Sequence, residues 1–224
     1  EITVSGNVTF NGGNTNTLLT AGVLEVGGDF SQASCCTSSP HFAASGTHRV
    51  VLNSPGAPQT VNFQDPGSTT SDSHFQDLEI ANTGGGVTFA TNVFANGALS
   101  ITSATTASGP GTVIVAGDLT TAAGSAVTVS GLNLAGAMAV SGSLSPGTTT
   151  FTGAGQSIQP GLAYVNMTVT GTPLASGATA LSGNLTISGG TLNLNGQVVT
   201  VAGTFATSGT GTLTMQNPAD RLTV

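Results

Sequence analysis

The chain of 224 residues contains no lysine and no tryptophan, and only 5% of its residues carry a charged side chain. Ordinary soluble proteins carry about 25% charged residues, so threonine, serine, asparagine and glutamine must form most of the polar surface here. Two arginines against nine acidic residues give a formal net charge of −7. That balance cannot neutralise nucleic-acid phosphates or attract an anionic membrane surface, so we expect neither as a partner.

Long hydrophobic runs and helix-favouring residues are also scarce. No run approaches 18 apolar residues, so we expect no membrane insertion. Valine, isoleucine and threonine are abundant and 33 glycines supply turns, which predicts an all-β protein. Disorder is the disfavoured alternative, because disordered chains contain few β-branched residues. The sequence starts at Glu1 without a signal peptide, so we expect a processed product or a piece of a longer chain.

A heptapeptide pattern recurs three times. It reads VSGNVTF around Gly6, ANGALSI around Gly97 and LSGNLTI around Gly183, and these glycines are 91 and 86 residues apart. Within each copy apolar residues alternate with Thr, Ser or Asn, which is typical of a strand with one buried face. A chain that repeats at a near-constant period usually forms an elongated stack of similar units.

Two further elements recur in the same order. LEVGGDF around Gly28 is matched by VIVAGDL around Gly117 and by VTVAGTF around Gly203. The 17-residue segment Ser45–Val61 aligns without a gap to Ser208–Val224. The fixed order predicts cycles at about residues 1–91, 92–177 and 178–224, the last one incomplete.

The short apolar stretches, broken by glycine, predict the fold class. They favour a parallel β-helix, or β-solenoid, that forms one continuous domain over residues 1–224. At about 20 to 25 residues per coil, comparable to the length of a leucine-rich repeat, the chain forms roughly ten coils with glycine at the corners. Tandem β-sandwiches of about 90 residues are the alternative, but sandwich cores usually contain an aromatic anchor and longer strands.

The two ends of the sequence carry related segments without the polar cap that a solenoid normally needs. Uncapped ends predict head-to-tail stacking of copies, a contact that forms open filaments. Adjacent repeats of one longer chain are the alternative partners. The predicted assembly residues are Glu1, Ile2, Thr3, Val4, Arg221, Leu222, Thr223 and Val224.

Two of these segments support a family resemblance. Gly183–Phe205 and Ser45–Val61 resemble the β-strand repeats of large secreted bacterial surface proteins, and more distantly filamentous-haemagglutinin-like β-solenoid adhesins. The resemblance covers essentially the whole chain at the level of repeat style. It implies an extracellular, cell-surface location and a structural or adhesive role, and it carries no catalytic residues over.

The two cysteines are adjacent, Cys35 and Cys36, with His41 nearby. They favour a disulfide, either between neighbours or to another copy. Inert thiols are the next alternative. A metal site is the least favoured, because ligands usually follow CxxC or HxxxH spacing and neighbouring residues of a strand point in opposite directions.

The acidic residues give no recognisable catalytic pattern. Asp65, Asp72, His74 and Asp77 occur in one loop-like stretch without a calcium-binding motif, so we interpret it as a solvated loop. Asp29 and Asp118 hold matching repeat positions where the third copy has Thr204, and they are too far apart to cooperate. We predict no enzymatic activity and no cofactor. N-glycosylation sequons occur at Asn7, Asn166 and Asn184. We interpret them as a consequence of a repeat that is rich in Asn and Thr.

The sequence leaves two functions open. The first is an extracellular structural protein that forms part of a filament, stalk or surface layer by end-to-end stacking. The alternative is a surface adhesin or glycan-binding module with a Thr/Asn-rich face. Threonine runs around Thr15, Thr148 and Thr168 suggest such a face, although their spacing is irregular.

Overall fold

The structure, a computed structural model, describes residues 1–33 and 40–224. It is an all-β solenoid of about 11 turns built from parallel strands, and no described residue is helical. The predicted parallel β-solenoid is therefore confirmed. Ten spacings of about 4.8 Å give a stack about 50 Å long. No helix in the described ranges has the length and apolarity needed to span a membrane.

Each turn contributes strands to three faces that run along the solenoid. Face 1 consists of β1 (Ile2–Val4), β3 (Val23–Val26), β5 (Arg49–Leu52), β7 (Asp77–Ile80), β10 (Leu99–Ile101), β12 (Leu119–Thr121), β14 (Met138–Val140), β17 (Ala154–Ile158), β19 (Thr172–Ala175), β22 (Thr191–Asn193) and β25 (Thr212–Thr214). Face 2 consists of β2 (Val8–Phe10), β4 (Phe30–Gln32), β6 (Gln59–Phe63), β8 (Val87–Phe89), β15 (Ser143–Leu144), β20 (Thr179–Leu181), β23 (Val198–Val201) and β26 (Arg221–Thr223).

Face 3 is completed by two long strands that bend around a corner. It consists of β9 (Val93–Ala95), β16 (Thr148–Phe151), β18 (Asn166–Val169), β21 (Leu185–Ile187) and β24 (Phe205–Thr207). Strands β11 (Thr106–Val115) and β13 (Ala126–Leu134) run from face 2 onto face 3. Isolated parallel bridges, such as Leu19 to Ala44 and Phe75 to Ala95, extend face 3 into the first turns.

The core follows from the two-residue periodicity of the strands. In β16, for example, Thr149 and Phe151 point inwards and are fully buried, whereas Thr148 and Thr150 remain partly exposed. The first three turns are wider, and their interior holds five phenylalanines with ring centroids 4.6 to 6.4 Å apart. These are Phe10, Phe30, Phe42, Phe63 and Phe75.

The recurring heptapeptides mark corners of the solenoid. The copy around Gly6 joins face 1 to face 2, the copy around Gly97 joins face 3 to face 1, and the copy around Gly183 joins face 2 to face 3. One short pattern therefore serves all three corners, and the 86- and 91-residue spacings do not span whole numbers of turns. The 17-residue segments keep the same position, since both place their two strands on face 1 and then face 2.

The corner glycines stack directly upon one another. Gly117 donates its N–H to Gly97 O at 2.9 Å, and Gly203 donates to Gly183 O at the same distance. A Cβ on Gly203 would lie 2.8 Å from the Gly183 carbonyl. Gly183 is not among the positive-φ residues, so a left-handed backbone conformation does not require glycine there. The reason for glycine is the close approach of one corner to the next.

Candidate functional site

The first turn leaves apolar core exposed at one end of the solenoid. Strand β1 pairs only with β3, and β2 pairs only with β4, within the described residues. Ile2 is 65% exposed, and Phe10 is only partly buried although it packs against Phe30 and Phe42. The predicted assembly residues Glu1 to Val4 thus lie on an unpaired strand edge beside incompletely covered core.

A cavity of about 310 Å³ opens at this end. Ile2, Phe10, Leu19 and Leu24 line it, together with His48 from the third turn. His48 is only 6% exposed, and its Nδ1 has no hydrogen-bond partner among the described residues. Because burial disfavours the charged form, the pKa of His48 lies below its ordinary value of 6.5. The cavity is therefore a largely apolar space with one neutral imidazole.

The last turn is open in the same way. Strand β25 pairs only with β22, and β26 pairs only with β23, within the described residues. Leu213 and Leu222 are partly buried, and Val224 is 66% exposed. Arg221 to Thr223 lie on face 2, whereas Ile2 to Val4 lie on face 1, so the two matching end segments belong to different faces.

The aspartates singled out from the sequence bind the backbone. Asp29 Oδ1 accepts the N–H of Thr60 at 2.7 Å, and Asp118 Oδ1 accepts the N–H of Ala137 at 2.8 Å. Thr204, the third member of that repeat position, donates its N–H to Asn184 Oδ1 at 2.9 Å. These side chains connect one coil to the next where the backbone turns a corner. Their placement gives no paired carboxylates.

The sequon asparagines belong to the same corner ladder. Asn7 Oδ1 accepts the N–H of Asp29 at 2.8 Å, and Asn166 Oδ1 accepts the N–H of Asn184 at 2.9 Å. Asn166 also donates its side-chain N–H to Gly147 O at 2.9 Å. An Asn or Asp at this position thus replaces a ladder hydrogen bond. Asn7 and Asn184 follow a corner glycine directly, whereas Asn166 follows a valine.

The stretch with Asp65, Asp72, His74 and Asp77 does not converge on one point. Asp72 accepts hydrogen bonds from the hydroxyl and N–H of Thr69 at 2.6 and 3.1 Å, and these lower the pKa of its carboxyl. His74 is buried, so its pKa is also lowered. Asp77 Oδ1 accepts the N–H of Ala98 in the corner ladder. Across residues 1–33 and 40–224, no three His, Cys, Asp or Glu side chains are grouped as metal ligands would be.

The two cysteines, Cys35 and Cys36, lie outside the described residues. His41 is described and is buried with its Nδ1 2.9 Å from Ala33 O. The interpretation of the cysteine pair as a disulfide stays a prediction.

Face 3 carries an ordered surface of hydroxyl groups, which we call the threonine face. The backbone register aligns Thr150 with Thr168 and Thr168 with Thr186, without a register shift between the three strands. Thr148 lies beside Asn166 in the neighbouring column. The sequence indicated Thr148, Thr150 and Thr168 but not Thr186, although Thr186 lies within the repeated heptapeptide LSGNLTI.

The central column of the threonine face has hydroxyl groups that are not used within the described part of the chain. Within the described residues, the side-chain hydroxyls of Thr150, Thr168 and Thr186 have no hydrogen-bond partner, whereas the nearby Thr152, Thr170 and Thr204 hydroxyls each have one. On face 1, by contrast, Thr102 donates to Glu79 at 3.1 Å and Thr120 donates to Ser100 at 3.1 Å. The threonine face therefore offers free donors and acceptors in a fixed, repeated arrangement.

Comparison with protein families, with curated proteins and with solved structures gives no significant match to this chain.

Proposed function

We propose that this protein is an extracellular structural element, a segment of a β-solenoid rod whose first and last turns pair with further solenoid turns. The further turns belong either to another copy or to adjacent repeats of a longer chain. The observation that carries this proposal is the pair of open ends. Strands β1 and β26 each have one unpaired edge within the described residues, beside exposed Ile2 and Val224.

Open ends of this kind are costly to leave in water. A strand edge presents free N–H and C=O groups that template another strand, and natural sheets usually cover or charge such edges. Here Phe10 at one end and Leu222 at the other are only partly buried, whereas the residues in register with them in inner turns, Phe63 and Val199, are buried. A further turn at either end would complete that burial.

The extracellular location rests on the resemblance of the repeats to those of secreted bacterial surface proteins, with their low charge and abundant Thr and Asn. Digestion of intact source cells with a protease tests it, since a surface protein is degraded while cytoplasmic markers survive.

Assembly is tested by sedimentation velocity and electron microscopy over a concentration series. We expect concentration-dependent linear assemblies of the 224-residue protein, and we expect Ile2→Lys/Val224→Lys to raise the concentration needed at least tenfold. Val198→Lys is the matched control, because Val198 is 38% exposed on the side of the solenoid rather than at an end.

Hydrogen exchange distinguishes the two kinds of partner, another copy or adjacent repeats of a longer chain, and it can contradict the proposal. If adjacent repeats of a longer chain are the partners, the isolated protein stays monomeric and its strands β1 and β26 exchange much faster than β12. A monomer whose terminal strands exchange as slowly as β12 would contradict both versions, because such edges need no partner.

A further inference from the structure

We propose that the threonine face binds the surface of an ordered, uncharged polysaccharide. The first observation is its geometry. Thr150, Thr168 and Thr186 form one column in register, with a repeat of about 4.8 Å set by the strand spacing. The inward neighbours Phe151, Val169 and Ile187 are fully buried, so the backbone that carries the column is rigid.

The second observation is the distribution of charge. Residues 119–219, which include every strand of the threonine face, contain no Asp, Glu, His, Lys or Arg. All eleven charged side chains belong to residues 1–118 or to Asp220 and Arg221. This half of the solenoid offers no opposite charge that would attract a charged polymer. A neutral polymer can bind there without desolvating an unpaired protein charge, which would cost free energy.

The third observation is that the hydroxyls are free. A threonine hydroxyl donates one hydrogen bond and accepts others, as does each hydroxyl of a sugar. At the C-terminal edge of the face, Thr152 and Thr170 donate their hydroxyls to the carbonyls of Leu134 and Phe151 at 3.1 and 3.4 Å, which fixes that edge. The central column is left to bind a ligand.

The chemistry also indicates a polymer rather than a single sugar. No aromatic side chain points outward from β16, β18 or β21, so an isolated sugar ring has nothing to stack on. Single hydroxyl contacts are weak in water, and only a regular array of sugar hydroxyls lets many of them act together. A polysaccharide with ordered, parallel chains presents such an array.

The test measures binding of the 224-residue protein to microcrystalline cellulose and to chitin, with heparin as an anionic comparison. We expect binding to cellulose or chitin that is unchanged by 0.5 M salt. The triple variant Thr150→Val/Thr168→Val/Thr186→Val should weaken it by about tenfold or more, because valine keeps the shape but removes the hydroxyl.

The matched control is Thr60→Val/Thr88→Val/Thr128→Val on face 2, which also removes three hydroxyls unpartnered among the described residues, but from a column that is interrupted by Ser108 and lies beside the charged turns. It should bind like the unmodified protein, and circular dichroism should show both triple variants folded. The proposal is overturned if neither polysaccharide binds, if only heparin binds, if salt abolishes binding, or if both variants lose binding equally. Inhibition of ice growth without polysaccharide binding would also overturn it.

This proposal does not depend on stacking of the ends. Ile2→Lys/Val224→Lys should bind the polysaccharide per molecule as the unmodified protein does, so failure of one proposal is distinguishable from failure of the other.

Discussion

At the scale of single residues, the solenoid depends on small and polar side chains at the corners. A glycine lets one corner rest on the next, and an Asn or Asp after it accepts an N–H from the following coil, as Asn184 does from Thr204. The sequence showed that these residues recur, but it did not show which contact makes glycine necessary. Contact between stacked corners is not visible in a linear pattern, because the two glycines are a whole turn apart.

Gly203→Ala tests the stacking explanation. The added methyl group would lie 2.8 Å from the Gly183 carbonyl, so we expect a loss of about 1 to 3 kcal/mol in the free energy of unfolding, measured by urea denaturation. Gly189→Ala is the control, because a Cβ there meets no atom within 4 Å and its φ is not positive. Equal stability of the two variants would contradict the explanation.

At the scale of strands and turns, buried glutamines join coils where backbone ladders are interrupted. Gln59 is 1% exposed and donates to Val26 O and Gly28 O at 2.8 and 2.6 Å. Gln156 and Gln159 have the same role between β14 and β17, where no strand pairing is formed. Each glutamine thus replaces part of a missing ladder.

Gln59→Leu should therefore be strongly destabilising. The substitution keeps the side-chain volume but leaves the Gly28 carbonyl and the Ser54 N–H unpaired and removes one of two hydrogen bonds to the Val26 carbonyl. Each unpaired buried group costs about 1 to 3 kcal/mol. We expect a total loss of about 3 kcal/mol or more by urea denaturation. Gln76→Leu, on a partly exposed glutamine, should change stability little. A small effect of Gln59→Leu would mean that water satisfies these groups.

The fold class could be predicted from the sequence because alternation and glycine spacing act locally. The three faces could not, because one heptapeptide serves every corner and says nothing about which faces it joins. The threonine face was only partly predictable for a related reason. Thr150, Thr168 and Thr186 are neighbours because the turns between them are 18 residues long, whereas turns elsewhere are as long as 31 residues.

At the scale of the whole molecule, the three histidines all belong to the first three turns of the solenoid. Buried His48 and His74 have lowered pKa values, so they are neutral in the folded protein and take up protons more readily once unfolded. Their contribution to stability is complete above pH 6.5 and is lost as the pH falls below that value. Residues 119–219 contain no group that titrates in this range.

Hydrogen exchange at pH 7.5 and 5.5, corrected for intrinsic rates, should show this asymmetry. We expect lower protection at pH 5.5 in the turns around β3, β5 and β7, and unchanged protection in β16, β18 and β21. His48→Leu/His74→Leu should remove most of the difference. If the variant shows the same pH dependence of protection as the unmodified protein, groups other than His48 and His74 cause that dependence.

The long connections of the first three turns all leave from the corner between faces 2 and 3, after Phe10, Gln32 and Phe63. The ladders β1–β3–β5–β7 and β2–β4–β6–β8 remain in register beneath them. This corner consequently tolerates added length without a change in winding. It is the natural place to graft an epitope or an affinity tag, and neighbouring grafts would be displayed at the pitch of the backbone.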